Sequence, residues 1–253
     1  MLEDYIRKTL REKDILLMAH IVVGYPSIED SFELVRTIVE AGVDLLELQI
    51  PFSEPIADGP VILQANQAAL ADAIRVDDCF TFAQKVTSAF SIPFLFMTYY
   101  NILFKRGEER FFAETREVGI RGTIVPDLPP EEGESYMAAA AANNIDPVFI
   151  LAPTSSPERI NHLARFGRGF FYCVARKGVT GSGTNFSSEM TEFLDQCRRA
   201  TQLPLALGFG VGSKEDVQFL RGKVEIAVVG SQALRILNAQ GIQAVGDFFR
   251  GLR

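Results

Sequence analysis

The strongest constraint on how this chain can fold is a repeat. Eight short apolar runs recur along it: LLMAHIVV (16–23), VDLLELQI (43–50), IPFLFMTYY (92–100), RGTIVPDL (121–128), DPVFILAP (146–153), GFFYCVA (169–175), LPLALGF (203–209) and VEIAVVG (224–230). Most are near-continuously hydrophobic and rich in β-branched or aromatic residues. That is the mark of strands covered on both faces, as in a parallel sheet. Eight runs in 253 residues average roughly one per 32, about the length of a βαβ step.

Amphipathic stretches lie between the runs. SFELVRTIVEAG (31–42) carries apolar Phe32, Val35, Ile38 and Val39, with Glu33, Arg36 and Glu40 elsewhere, and ends at Gly42. Stretches 108–119, 131–144, 156–167, 187–200 and 213–222 repeat the arrangement. Several open with Ser and an acid and several close with Gly, as helix capping favours. Extra helix is expected at 1–12 and 61–73, and the alanine run 138–142 sits inside a helix, where Ala is the best former. Strand and helix alternating eight times predict an α/β chain folded as a (β/α)8 TIM barrel, one domain over 1–253, with an extra N-terminal helix. The rival is an open doubly wound sheet, which normally shows GxGxxG in its first βα turn; none follows 16–23.

Composition narrows the function classes. Lys+Arg number 25 against 32 Asp+Glu, a formal charge of −7, whereas a nucleic-acid partner calls for a basic stripe. No apolar run approaches the ~18 residues of a membrane span, and the charged start MLEDYIRKTLREKD does not read as a signal peptide. Cys79, Cys173 and Cys197 are scattered with no CxxC, which predicts reduced thiols in a cytoplasmic protein. With only His20 and His162 beside them, no metal site of Cys and His ligands is expected.

Barrel chemistry collects at the carboxyl ends of the strands. Glu47 lies inside an apolar strand, where a carboxylate must be paired, protonated or functional. Alternation puts Leu45, Glu47 and Gln49 on one face, predicted to point into the barrel. The bland reading of Glu47 is a structural carboxylate bonded to a Tyr or Thr. Asp58 follows in PFSEPIADGP (51–60), a loop stiffened by three prolines. It supplies a second acid, so that one carboxyl group can donate while the other stays ionised; equally, it could cap the helix starting near Pro60 or Val61. Three glycine-rich strand exits follow later: Gly178–Gly183, Gly208-Phe209-Gly210 and Gly230-Ser231. Glycine lets backbone N–H groups approach an anion, helix N-termini add positive partial charge, and QALRIL after Ser231 would supply a short phosphate-site helix. Together they predict a phosphorylated ligand. Tyr99, Tyr100 and Asn101 are expected to end the third strand and Asp127 to follow the fourth. Tyr172 lies within the sixth; buried tyrosines are more often core residues with satisfied hydroxyls. His20 reads as a core-lining histidine, and Arg176-Lys177 as either a phosphate clamp or a solvated loop tip.

These residues together resemble the tryptophan synthase alpha subunit family, over the whole chain. LELQIPFSEPIADGP (46–60) is similar to its most specific signature, and YCVARKGVTG (172–181), GFGV (208–211) and VVGSQAL (228–234) to its later motifs, in order. The resemblance implies cleavage of indole-3-glycerol phosphate to indole and glyceraldehyde 3-phosphate without metal or organic cofactor. It also implies a beta subunit partner in an alpha2-beta2 assembly. By position, Glu47 matches the general acid that protonates the ring carbon bearing the glycerol chain. Asp58 matches the carboxylate that accepts the indole N–H, and Tyr172 the tyrosine near that acid. Gly181, Phe209, Gly210, Gly230 and Ser231 match the phosphate cradle. Glu54, Asn101, Phe104 and Asp127 mark the expected contact with the beta subunit.

Some positions depart from the family pattern. Gln49 stands where Gly is usual and is expected to hydrogen-bond Glu47 or shrink the indole pocket, altering turnover or ligand preference. Val22 replaces a common Thr, His20 a position usually apolar or aromatic, and Glu54 the commoner Asp, while Tyr25 in GYP is an accepted variant. Two other functions compete. One is a catalytically weakened, alpha-like subunit that binds and activates the beta subunit. The other is a different phosphate-binding barrel, such as a sugar-phosphate isomerase or aldolase; a Schiff-base aldolase wants a lysine in a late strand, and the strand cores here hold none.

Overall fold

The computed structural model describes residues 1–174, 188–208 and 210–253. All eight apolar runs form parallel strands: β1 (Leu16–Val22), β2 (Leu45–Gln49), β3 (Phe94–Met97), β4 (Gly122–Ile124), β5 (Asp146–Val148) with its continuation β6 (Ile150–Leu151), β7 (Phe171–Val174), β8 (Leu205–Gly208) and β9 (Ile226–Val229). Their order in the sheet is β5-β4-β3-β2-β1-β9-β8-β7-β6. The two ends of that order are pieces of one run, interrupted at Phe149, whose carbonyl still accepts the Tyr172 N–H at 3.0 Å. The sheet therefore curls into a barrel, and the open doubly wound alternative falls. The interruption follows Pro147, which has no N–H to give to a ladder.

The helices are α1 (Leu2–Thr9), α2 (Ile28–Glu40), α3 (Pro60–Ala71), α4 (Val76–Ala89), α5 (Tyr100–Arg106), α6 (Glu108–Glu117), α7 (Glu134–Ala142), α8 (Pro157–Leu163), α9 (Ser188–Ala200), α10 (Lys214–Leu220), α11 (Ser231–Gln240) and α12 (Ile242–Gly251). Serine caps open several as expected: Ser27, Ser156 and Ser213 accept the N–H of Asp30, Arg159 and Asp216. The stretch 131–144 divides at Gly133 into a 3-10 turn (Pro130–Glu132) and α7. Tyr100 and Asn101 do not end a strand. Tyr99 takes an extended conformation at the N-cap, and α5 begins at the next residue.

Alternation sorts the strands' side chains into two cores. Outward residues such as Leu17, Ala19, Ile21, Leu46 and Leu48 pack under the helices. Inward residues such as Leu16, Met18, Leu45, Leu95, Met97 and Val228 fill the barrel, whose lower end is plugged by Leu2 and Ile6 of α1. The plug is tied down by the Leu2 N–H, which donates to buried Asp146 at 2.8 Å. No helix among the described residues is long and apolar enough to cross a membrane.

Candidate active site

Beyond the inward layers, at the carboxyl ends of the strands, a cavity of about 560 Å³ opens, lined among others by Glu47, Asp58, Tyr172, Gly210, Gly230 and Ser231. The inward face of β2 carries Leu45, Glu47 and Gln49 as alternation requires, and all three are buried. Among the described residues Glu47 is paired with neither Tyr nor Thr. Its Oε1 lies 3.1 Å from His20 Nδ1, a residue that faces it in the β1–β2 ladder. Its Oε2 has no hydrogen-bond partner among the described residues.

Asp58 is held from two sides. The Gln49 amide donates to Oδ2 at 2.6 Å and the Tyr99 hydroxyl to the same oxygen at 3.1 Å. The N-cap of α3 is Gly59, which makes no side-chain cap, so the capping reading of Asp58 is wrong. Gln49 likewise reaches Asp58 rather than Glu47 and is absent from the cavity lining. Loop 51–59 is pinned over the site at three points. The Tyr99 oxygen accepts the Ala57 N–H at 3.1 Å, Phe52 stacks on the Tyr99 ring at 5.1 Å, and Asn66 accepts the Phe52 N–H at 2.9 Å.

Electrostatics follows from burial and proximity. Burial pulls the His20 pKa down, but the charge of Glu47 and its hydrogen bond, with Asp58 behind, outweigh it and the net shift is upward. Burial also lifts Asp58, against the opposing pull of His20, Gln49 and Tyr99. Tyr172 is pushed well above the ordinary phenol range, first by burial and then by the charges of Glu47 and Asp58. It is a neutral hydroxyl at any working pH.

On the same cavity, beside His20, Gly230 is the N-cap of α11 and Ser231 its first residue. The first N–H groups of a helix have no partner within it and carry positive partial charge. Arg235, one turn on, also lines the cavity. Gly210 has φ +113°, a backbone open to glycine almost alone. The next donors, the Gly212 and Ser213 N–H groups, are taken by Asp216 at 2.8 and 3.0 Å. Gly181, Phe209 and Arg176-Lys177 lie outside the described residues.

The residues expected to meet a partner gather at the same end of the barrel, on the exits of the neighbouring strands β2, β3 and β4. Glu54 is exposed on loop 51–59, and Asn101 and Phe104 are exposed on α5. Asp127, also exposed, accepts the Tyr100 N–H at 2.9 Å and so anchors the start of that helix. Ile56 and Phe104 are 81% and 69% exposed.

Sequence reasoning undervalued His20 and Tyr99, and it missed Arg235. The first two had a legible signal, since both fall at inward positions near strand ends. Arg235 had only its one-turn offset from Ser231.

A closed parallel barrel in which two carboxyl groups in unlike settings share one cavity with a helix N-terminus has the form of a (β/α)8 enzyme. Residues 6–247 match the family model described as tryptophan synthase alpha chain. The tryptophan synthase alpha chain of Syntrophotalea carbinolica is 60% identical over 253 residues and covers 100% of both chains. That of Desulforapulum autotrophicum is 57% identical over 252 residues, again with 100% of both covered. Among solved structures, tryptophan synthase from Mycobacterium tuberculosis matches with a TM-score of 0.90 at 27% identity, covering 99% of this chain and 96% of that one. The tryptophan synthase complex from Pyrococcus furiosus matches at 0.86 and 27%, covering 94% and 97%. The chain belongs to the tryptophan synthase alpha chain family.

Proposed function

We propose that this alpha chain, working as one barrel domain in the cytoplasm, cleaves indole-3-glycerol phosphate with Glu47 as general acid and Asp58 as the anion beside the ring nitrogen. The observation that carries the assignment is their arrangement. Among the described residues, Glu47 has one oxygen tethered and one without a partner, and Asp58 is held through Oδ2. In the cleavage, the Glu47 proton goes to the ring carbon bearing the glycerol chain, and the carboxylate so formed takes the proton of that chain's adjoining hydroxyl. The bond between them breaks, leaving indole and glyceraldehyde 3-phosphate. Positive charge developing at the indole nitrogen is stabilised by an ionised Asp58 that accepts the N–H, a fixed charge placed where the transition state needs it. The free donors at the start of α11, with Gly210, Gly230, Ser231 and Arg235, hold the phosphate. Binding energy gathered there orients the reacting bond far from the handle. Tyr172 offers a neutral hydroxyl beside Glu47.

The exposed face of Glu54, Ile56, Asn101, Phe104 and Asp127 is the contact with a beta subunit, in an alpha2-beta2 assembly. Large exposed apolar side chains at one end of a barrel favour a protein contact. The weakened-subunit alternative rested on Gln49 crowding the site. Its bond to Asp58 and its place outside the cavity lining support the lyase instead. The deciding experiment is steady-state cleavage of indole-3-glycerol phosphate, with and without a cognate beta subunit, beside Glu47→Gln. Turnover that rises with the partner and falls by about 10²-fold or more in the variant is expected. A wild type that stimulates the beta reaction but does not turn over would make the chain a regulatory subunit.

A further inference from the structure

We propose that His20 is the positioning residue for Glu47, holding Oε1 by its Nδ1–H so that Oε2 is presented to the reacting carbon. The inference rests on the assignment of Glu47 as general acid. Its ground is the cross-strand geometry: His20 and Glu47 are direct Cα partners of the β1–β2 ladder. Both are buried, at 5% and 3% exposure, with the ring nitrogen 3.1 Å from the carboxylate oxygen. Both line the cavity, and each keeps one polar atom, His20 Nε2 and Glu47 Oε2, without a hydrogen-bond partner among the described residues. A carboxyl group with three rotatable bonds has no orientation of its own. A donor on one oxygen, set in a strand backbone, supplies one.

The groups around the imidazole decide its titration. Glu47 and Gln49 face it from β2 and Asp58 from the loop, and all three favour the imidazolium against burial. On the far side β9 and the start of α11 present Val228 and Gly230, neither titratable; a β-carbon at Gly230 would stand 3.5 Å from His20 Cβ. The imidazole therefore keeps its second proton to higher pH than a free histidine would, and with it the Nδ1–H directed at Glu47 Oε1.

The test compares His20→Phe and His20→Asn in the full chain with a cognate beta subunit, reading kcat, KM and the pH profile of the cleavage. His20→Phe should lower kcat by about 10- to 100-fold, part of the 10²–10⁴ that a positioned acid supplies. KM should change less than about threefold and stimulation of the beta reaction should persist, since the contact face is untouched. Asn places an N–H where Nδ1–H stood but cannot hold the extra proton. His20→Asn should thus recover most of kcat while the basic limb of kcat/KM moves to lower pH. Wild-type kcat in His20→Phe, or an unmoved basic limb in His20→Asn, would overturn the proposal. Should His20→Phe fail to fold, the profile of His20→Asn decides alone. Full activity of Glu47→Gln would instead show that the acid itself was misassigned.

Discussion

Gly208 occupies a position where no larger residue fits beside the site. A β-carbon there would overlap the ring and hydroxyl of Tyr172, which lies on β7 two residues before Val174, the register partner of Gly208. Gly208→Ala is expected to push Tyr172 toward the substrate and raise KM several-fold, with the ~1–3 kcal/mol loss in stability usual for overpacking; melting and steady-state kinetics read both. Gln49 acts on Asp58 through a hydrogen bond to its charged form. Burial already lifts the Asp58 pKa, and the Gln49 amide pulls it back. Removing that donor in Gln49→Gly raises the pKa further and leaves less carboxylate at a given pH. The acid-side limb of kcat/KM is therefore expected to shift to higher pH. Unchanged kinetic constants across the profile would remove Gln49 from any account of turnover.

At the scale of elements, the barrel is closed below by α1 and by a cluster around Asp44. Ile6 is fully buried against the inner layer, so Ile6→Ala should cost about 2–5 kcal/mol, the range for truncating a packed aliphatic side chain. Activity at low temperature should survive, because the cavity opens at the other end of the strands. Asp44 accepts from Lys13, from the Leu17 N–H at 2.9 Å and from Arg253 at 2.6 Å, joining β1, the start of β2 and the last residue, Arg253. Asp44→Ala strands two cations that are each about one-third exposed. Chemical denaturation should show a loss of about 1–3 kcal/mol, below the figure for a fully buried pair.

Across the whole molecule, three adjacent strand exits carry both the loop that fixes Asp58 and the face offered to a partner. Tyr99 belongs to both: its hydroxyl binds Asp58 and the Ala57 N–H, and its neighbour Tyr100 starts the helix that bears Phe104. A contact on α5 is thus mechanically continuous with Asp58, the carboxylate proposed to serve the ring nitrogen. Phe104→Glu is expected to abolish activation by the beta subunit while leaving cleavage by the isolated chain within about twofold. Activation at the wild-type level would move the contact elsewhere.

The strands, their parallel sense and the inward aim of Glu47 could be read from the sequence, because a strand covered on both faces must be apolar almost throughout and a single carboxylate in it stands out. Gly208 was legible for a similar reason, since only glycine serves where backbone comes this close to another side chain. The partners of the polar residues were not. Whether Asp58 caps α3 or turns to Gln49 and Tyr99 depends on the path of loop 51–59, and whether His20 is filler or Glu47's companion depends on which residue faces it across the ladder. Composition and periodicity determined that there would be a barrel and which side chains would enter it. Only the tertiary structure decided which of them meet, because hydrogen bonds are short-ranged and directional while hydrophobic burial is neither.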